Sequence, residues 1–282
     1  MTNKRSAPSR KMGRKTKFRD RYLPTIISVT SVIAVFLLIR SAVVKAEQWP
    51  RIKAQFFDLD AIIEVFPKVL HGFGINMAVW SVSLVLIAIW ALFLAVFRSF
   101  QGSWFAPLKV FSVVYIDLFR GLPSLLLVLL FGFGIPALQI PGLPNNSLFW
   151  GAAAMIASYS AYAAEVYRSG IEGVHDGQKA AAKALGLSQI QTLRFAILPQ
   201  AIRNVLPSLL NLAVALQKDV ALLSVLGVRD AVREAQIYTA RTFNYSSLIA
   251  AALLFLVTSI PLARFTDYLT KKDQERRLQI TV

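Results

Sequence analysis

Cysteine is absent from all 282 residues, which excludes disulfides, thiolate nucleophiles and Cys-ligated metal sites. Histidine occurs only at His71 and His175, too far apart in sequence for a His-based zinc site. No Gly-x-x-x-x-Gly-Lys-Ser/Thr loop is present, so nucleotide cannot be held as a P-loop protein holds it. A Gly-x-Ser-x-Gly elbow and a His-Glu-x-x-His pair are missing as well. The pattern therefore predicts no enzyme and no cofactor or metal. Energy for any uphill work must come from a partner or an ion gradient. Acidic residues are scarce, 15 against 31 Lys and Arg, for a formal charge of +16.

Apolar residues are abundant. They make up 56% of the chain, and the mean hydropathy is +0.55, which is the membrane class rather than an ordinary soluble domain. In that class a basic excess reflects Lys and Arg on cytoplasmic segments rather than nucleic acid. Residues 1–22 form a basic tail without a folded module or interleaved aromatics, so nucleic acid is not an expected partner. The tail reads either as a topology signal or as a segment drawn to anionic membrane lipids.

Apolar periodicity predicts an all-α polytopic protein of about six membrane helices. Residues 23–44 are an additional first span. Their apolar run is longer than a signal-peptide core and no small-x-small site follows, so the helix is expected to be retained. Residues 45–72 read as an external segment. The remaining spans are expected over 73–97, 108–133, 148–167, 201–226 and 245–265, with a polar cytoplasmic tail over 270–282. The fourth is crowded with Gly, Ala and Ser, which lets helices approach closely in lipid and places it mid-bundle. With both termini inside, 21 of the 31 basic residues fall on internal segments and 8 on external ones. That bias orients the chain in a bacterial inner membrane.

Ionisable residues inside spans cost about 2.5–3.5 kcal/mol each on insertion scales and mark functional candidates. Asp117 and Arg120 share a helix face and form either an intramembrane pair or an interfacial stretch before the true span near Leu122. Glu165 and Arg168, three apart, are expected to pair at the inner end of the fourth span. Asn76 is expected to face other helices. The fifth span is the most polar, and Asn211, Gln217, Lys218 and Asp219 are its candidate solute-pathway residues. Two readings stand there: Lys218 and Asp219 meet the carboxylate and amine of a zwitterionic solute, or they form an inter-helix salt bridge.

Between the fourth and fifth spans, residues 176–200 are too polar to cross a bilayer. They read as two short helices with a hinge. Asp176 is the N-cap and Gln178 to Leu185 is Ala-rich. Gly186 stands where a helix C′ residue takes positive φ. Ser188 and Gln191 form a capping box, and Pro199 stops or bends the second helix. Such a small-residue helix either lies in a groove on a partner or packs on its own chain.

This stretch resembles the EAA loop of the membrane permeases of ATP-binding-cassette importers. The matching positions are Ala180-Ala181-Ala182, Gly186 and Ala196-Ile197-Leu198-Pro199, with the family spacing kept and Ala180 where the family usually has Glu. Three further stretches resemble the branch serving polar amino acids. They are Tyr115 to Pro123, Ala161 to Arg168, and Lys218-Asp219 with Leu223 to Gly227, where Val220 and Ala221 replace the usual Thr-Ser. The resemblance covers roughly residues 66–269 and implies a permease domain over 73–269. It implies docking on ATPase subunits through Ala180, Ala181, Ala182, Leu185, Gly186, Leu198 and Pro199. It also implies a second permease copy or paralogue, an external solute-binding protein, and alternating access. An ion-coupled carrier is the alternative, and it lacks the internal repeat such carriers need.

Overall fold

The computed structural model of the chain describes residues 18–99, 103–174, 176–188 and 191–280, and these are helical apart from short connections. Of the expected basic tail, residues 1–17 lie outside the described residues, as does His175. Two compact units divide the chain, Met1–Ala54 and Gln55–Val282.

The first unit holds α1, Phe18–Lys45. From Thr25 to Lys45 its mean hydropathy is 2.3, and Val32, Phe36, Leu38 and Ile39 are all exposed. A helix apolar all round is one solvated by lipid. A short helix, α2, Trp49–Phe56, follows.

The second unit begins with α3, Leu59–Ser99, which runs unbroken for 41 residues. At 1.5 Å per residue it is about 60 Å long, roughly twice the bilayer's hydrocarbon thickness. The expected external segment over 45–72 thus contains α2 and the start of α3, and from Leu59 it is helical and continuous with the span. Pro67 lies inside this helix. Packing carries the helix past it, because Val65, Val69 and Phe73 recur along one face and are buried with Ala231, Ala235, Ala250 and Ala251.

A 3₁₀ turn, Ser103–Phe105, leads into α4, Ala106–Gly121. The third expected span is broken there. Pro123 holds φ −59°, and Leu122 before it is extended at φ −98°, ψ 140°, as the proline ring demands. The chain turns by 104° between residues 103–121 and 124–137. Beyond the bend come α5, Ser124–Leu129, a π turn, Leu130–Gly134, and α6, Ile135–Ala137.

The next helix, α7, Ser147–Glu172, opens on an Asn146 cap whose side chain accepts from the Leu148 and Phe149 N–H groups. It packs on α3, α4, α5 and the fifth-span helix, and Gly151, Ala154, Ser158, Ala161 and Ala164 are buried along it. A Cβ on Gly170 would stand 2.0 Å from Val205 Cγ1, so only glycine lets the two helices close there. Among the described residues four helices are apolar enough to span alone, and the bent pair makes a fifth. The fourth expected span, α7, is not among them. It is surrounded by protein, so small and hydroxylated residues suffice where lipid-facing helices need large apolar ones.

Then come α8, Asp176–Ala184, and a π turn, Thr192–Ile197, which runs directly into α9, Leu198–Asp219. Pro199, expected to stop or bend the helix, does not stop it. It sits in the first turn of α9, where its missing N–H is no loss. A 3₁₀ segment, Val220–Leu226, ends at Gly227 in the left-handed region. Two helices complete the unit: α10, Ala231–Thr242, and α11, Ser246–Ile280. The expected tail over 270–282 is thus helical to Ile280, an extension of the last span.

Candidate functional site

Three groups of predicted residues can be placed. In the 176–199 segment the first helix closes on a hydrogen-bonded hinge. Gly186 has φ +74°, its N–H donates to Lys183 O at 2.9 Å, and the Leu187 N–H donates to Ala182 O at 3.1 Å. That pair of bonds is a Schellman turn. The capping box forms as read: Ser188 N–H donates to Gln191 Oε1 at 2.9 Å, and Gln191 N–H to Ser188 Oγ at 3.3 Å. The 192–197 turn packs against α8. Ala182 is buried, whereas Ala180, Ala181, Leu198 and Pro199 are exposed. Leu185 is 80% exposed and Phe195 65%. One alanine faces inward and the rest of the motif projects from the fold, so the helix is not simply packed on its own chain.

In the fifth span the four polar residues part company. Asn211 and Lys218 are exposed. Gln217 is buried and braces α9 to α11: its Nε2 donates to Thr258 Oγ1 at 2.9 Å, and its Oε1 accepts from the Ser259 hydroxyl. Asp219 accepts from the Tyr159 hydroxyl of α7 at 2.7 Å. Among the described residues neither Lys218 nor Asp219 forms a salt bridge, so the inter-helix ion pair is corrected to a Tyr–Asp hydrogen bond. Tyr159 was missed because a tyrosine in an Ala-Ser-rich helix reads as packing. A carboxylate one helix away needing a donor was the only hint.

Glu165 gathers arginines from three helices. Arg168 bonds it within α7, Arg98 at the end of α3 approaches to 2.9 Å, and Arg120 at the end of α4 to 4.0 Å. Arg168 also pairs with Glu172. Arg120 lies over the Tyr162 ring, 5.8 Å from its centroid. The expected Glu165–Arg168 pair is present. The Asp117–Arg120 pair is not: Asp117 is exposed and bonds no described residue, and Arg120 turns to α7. Sequence spacing missed Arg98, which is 67 residues from its partner.

On the other side of the bundle Asn76 is fully buried. Its Nδ2 donates to Asp230 Oδ2 at 3.1 Å and to Val220 O at 3.3 Å, while its Oδ1 accepts from the Ala231 N–H at 3.1 Å. Burial pushes the Asp230 carboxyl above its ordinary range, against the opposing hydrogen bonds from Arg233 N–H and Asn76.

A family model for binding-protein-dependent transport system inner membrane components matches residues 99–272. The chain belongs to that family. It is 32% identical over 201 residues to the arginine transport system permease protein ArtQ of Bacillus subtilis (strain 168), covering 71% of this chain and 90% of the relative. It is 31% identical over 222 residues to the glutamate/aspartate import permease protein GltK of Escherichia coli O6:H1, covering 77% and 98%. The crystal structure of an amino acid ABC transporter with histidines superposes with a TM-score of 0.69 at 28% identity, over 76% of this chain and 98% of that one. The MetNI methionine ABC transporter shares the fold at a TM-score of 0.52 and 14% identity. The all-α polytopic architecture and the membership of an ABC-type permease family rather than of ion-coupled carriers follow from these likenesses. As a member of this family the chain is a multi-pass inner membrane protein.

Proposed function

We propose that the chain forms half of the translocation pathway of an ATP-driven importer of polar amino acids or related small solutes. An ATPase subunit grips the 176–199 segment. A second permease, identical or paralogous, completes the pathway, and a solute-binding protein delivers cargo on the opposite side. Both termini and the 176–199 segment lie in the cytoplasm, as the basic-residue bias supports. The carrying observation is the segment's build. A Schellman turn at Gly186 closes α8 and a capping box at Ser188 precedes the 192–197 turn that runs into α9, while Leu185 and Phe195 stand out from the fold. A rigid element with projecting apolar side chains transmits a push; a loose loop does not. The solute class rests on the relatives, whose names specify arginine and glutamate/aspartate.

In this reading the exposed Lys218 and the Tyr159-held Asp219 supply opposite charges to a zwitterion, with Asn211 nearby on the same helix. Closure of the ATPases moves the 176–199 segment, and the spans rock to change the open side. The test is uptake of radiolabelled amino acids by vesicles containing this chain with its ATPase and binding protein. Uptake is expected only with ATP on the ATPase side and with both partners present. Uptake driven by a proton or sodium gradient without ATP contradicts the proposal.

A further inference from the structure

Where α3 ends, α4 begins and α7 runs out toward α8, the three helices line an open-sided cavity of 470 Å³. Its lining divides by chemistry. Ala95, Val113 and Ile171 are apolar, Arg98, Lys109 and Arg168 are cations, and Glu172 is the one carboxylate. Two of the cations already have partners. Arg98 bonds Glu165, and Arg168 bonds Glu165 and Glu172, yet their side chains remain 27% and 32% exposed. Lys109 bonds none of the described residues and is exposed. With Arg120 behind Glu165, four cations surround two carboxylates, so the site carries a positive surplus.

That surplus calls for an anion. Its size suits a phosphodiester with one or two charges rather than a nucleotide triphosphate, which Glu172 at the rim would repel. The apolar half of the lining calls for an amphiphile, since inorganic phosphate would leave it unused. Arg98 and Lys109 sit at the facing ends of two apolar helices, the depth at which headgroups lie. We propose that this cavity binds the headgroup and upper acyl chain of an anionic phospholipid from the leaflet on that side. The lipid bridges the ends of α3, α4 and α7 just before the chain enters the 176–199 segment.

The experiment uses the full chain in neutral detergent, titrated with dioleoylphosphatidylglycerol, dioleoylphosphatidylcholine or inorganic phosphate. Native mass spectrometry counts bound lipid, and the thermal midpoint reports stabilisation. The glycerol lipid is expected to bind and to raise the midpoint, and the choline lipid and phosphate to do neither. Lys109→Gln, which removes an unpaired exposed side chain, is expected to weaken binding about fivefold, as loss of one basic residue near an anionic surface does. Lys271→Gln, a lysine on α11 outside the cavity, is expected to leave binding unchanged. Equal binding of the two lipids by the unaltered chain overturns the proposal, as does full stabilisation by inorganic phosphate. So does an equal loss in both variants, which would mean diffuse attraction to a basic surface.

Discussion

The Tyr159 hydroxyl donates to the Asp219 carboxylate across 2.7 Å, joining the central helix α7 to the end of the fifth span. Asp219 is thereby fixed on one side of α9 while Lys218 is left exposed. The bond holds a carboxylate in place without neutralising it, which suits a group that must meet the ammonium of a solute. Tyr159→Phe removes the donor and keeps the ring. Its expected effect is a several-fold rise in the KM for uptake, with a fall of only about 1 kcal/mol in stability, the scale of one inter-helix hydrogen bond in lipid. Asp219→Asn, which still accepts the bond, should lose transport with less loss of stability. The check is vesicle uptake beside thermal unfolding in detergent. Unchanged KM in both variants would make the bond purely structural.

Gly170 and Val205 pack closely between α7 and α9. A Cβ at Gly170 has no room, because the neighbouring methyl carbon lies 2.0 Å away and the Ala201 carbonyl oxygen 3.2 Å away. Gly170→Ala should destabilise the chain by about 1–3 kcal/mol, as overpacking does. Adding Val205→Ala removes the nearer obstacle and should recover part of that loss. Thermal unfolding of the two single variants and the double variant measures the coupling. A simple sum of the two single losses would show that the helices do not meet there.

Asp230 is buried, and its folded-state pKa is raised by burial. A raised carboxyl gives a contribution to stability that is full below the unfolded carboxylate pKa. It is lost as pH rises through the folded value. Asp230→Asn stays neutral at every pH and cannot follow that loss. The thermal midpoint of the variant relative to the parent should therefore increase as pH rises above the ordinary carboxylate range. The bonds Asp230 accepts from Asn76 Nδ2 and the Arg233 N–H set its offset, because the new amide nitrogen must face one of these donors. A difference that stays flat over that rise in pH contradicts the raised pKa.

Much of this architecture was legible in the chain. Apolar run lengths marked the spans, and Gly186, Ser188 and Gln191 specified a hinge whose bonds depend only on local backbone and short side chains. Glu165 and Arg168 were readable for the same reason, being three residues apart. What escaped was decided by distant partners. The helix α3 ignores Pro67 because Val65 and Val69 bury against α10 and α11. Arg120 forsakes Asp117 because Glu165 lies within reach on another helix. Gln217, read as a pathway candidate, is consumed by Thr258 and Ser259. No spacing along one helix announces a partner on the next.

The central claim is that the 176–199 segment is the ATPase docking element, and co-purification tests it most directly. Gly186 needs φ +74°, which proline cannot adopt, so Gly186→Pro breaks the hinge in a surface segment while leaving the spans intact. The full chain and the variant are solubilised in mild detergent after membrane insertion has been verified for both. The account predicts that an ABC ATPase co-purifies with the parent and is lost with Gly186→Pro. Equal recovery of the ATPase with both would contradict it, as would its absence from the parent in every mild detergent.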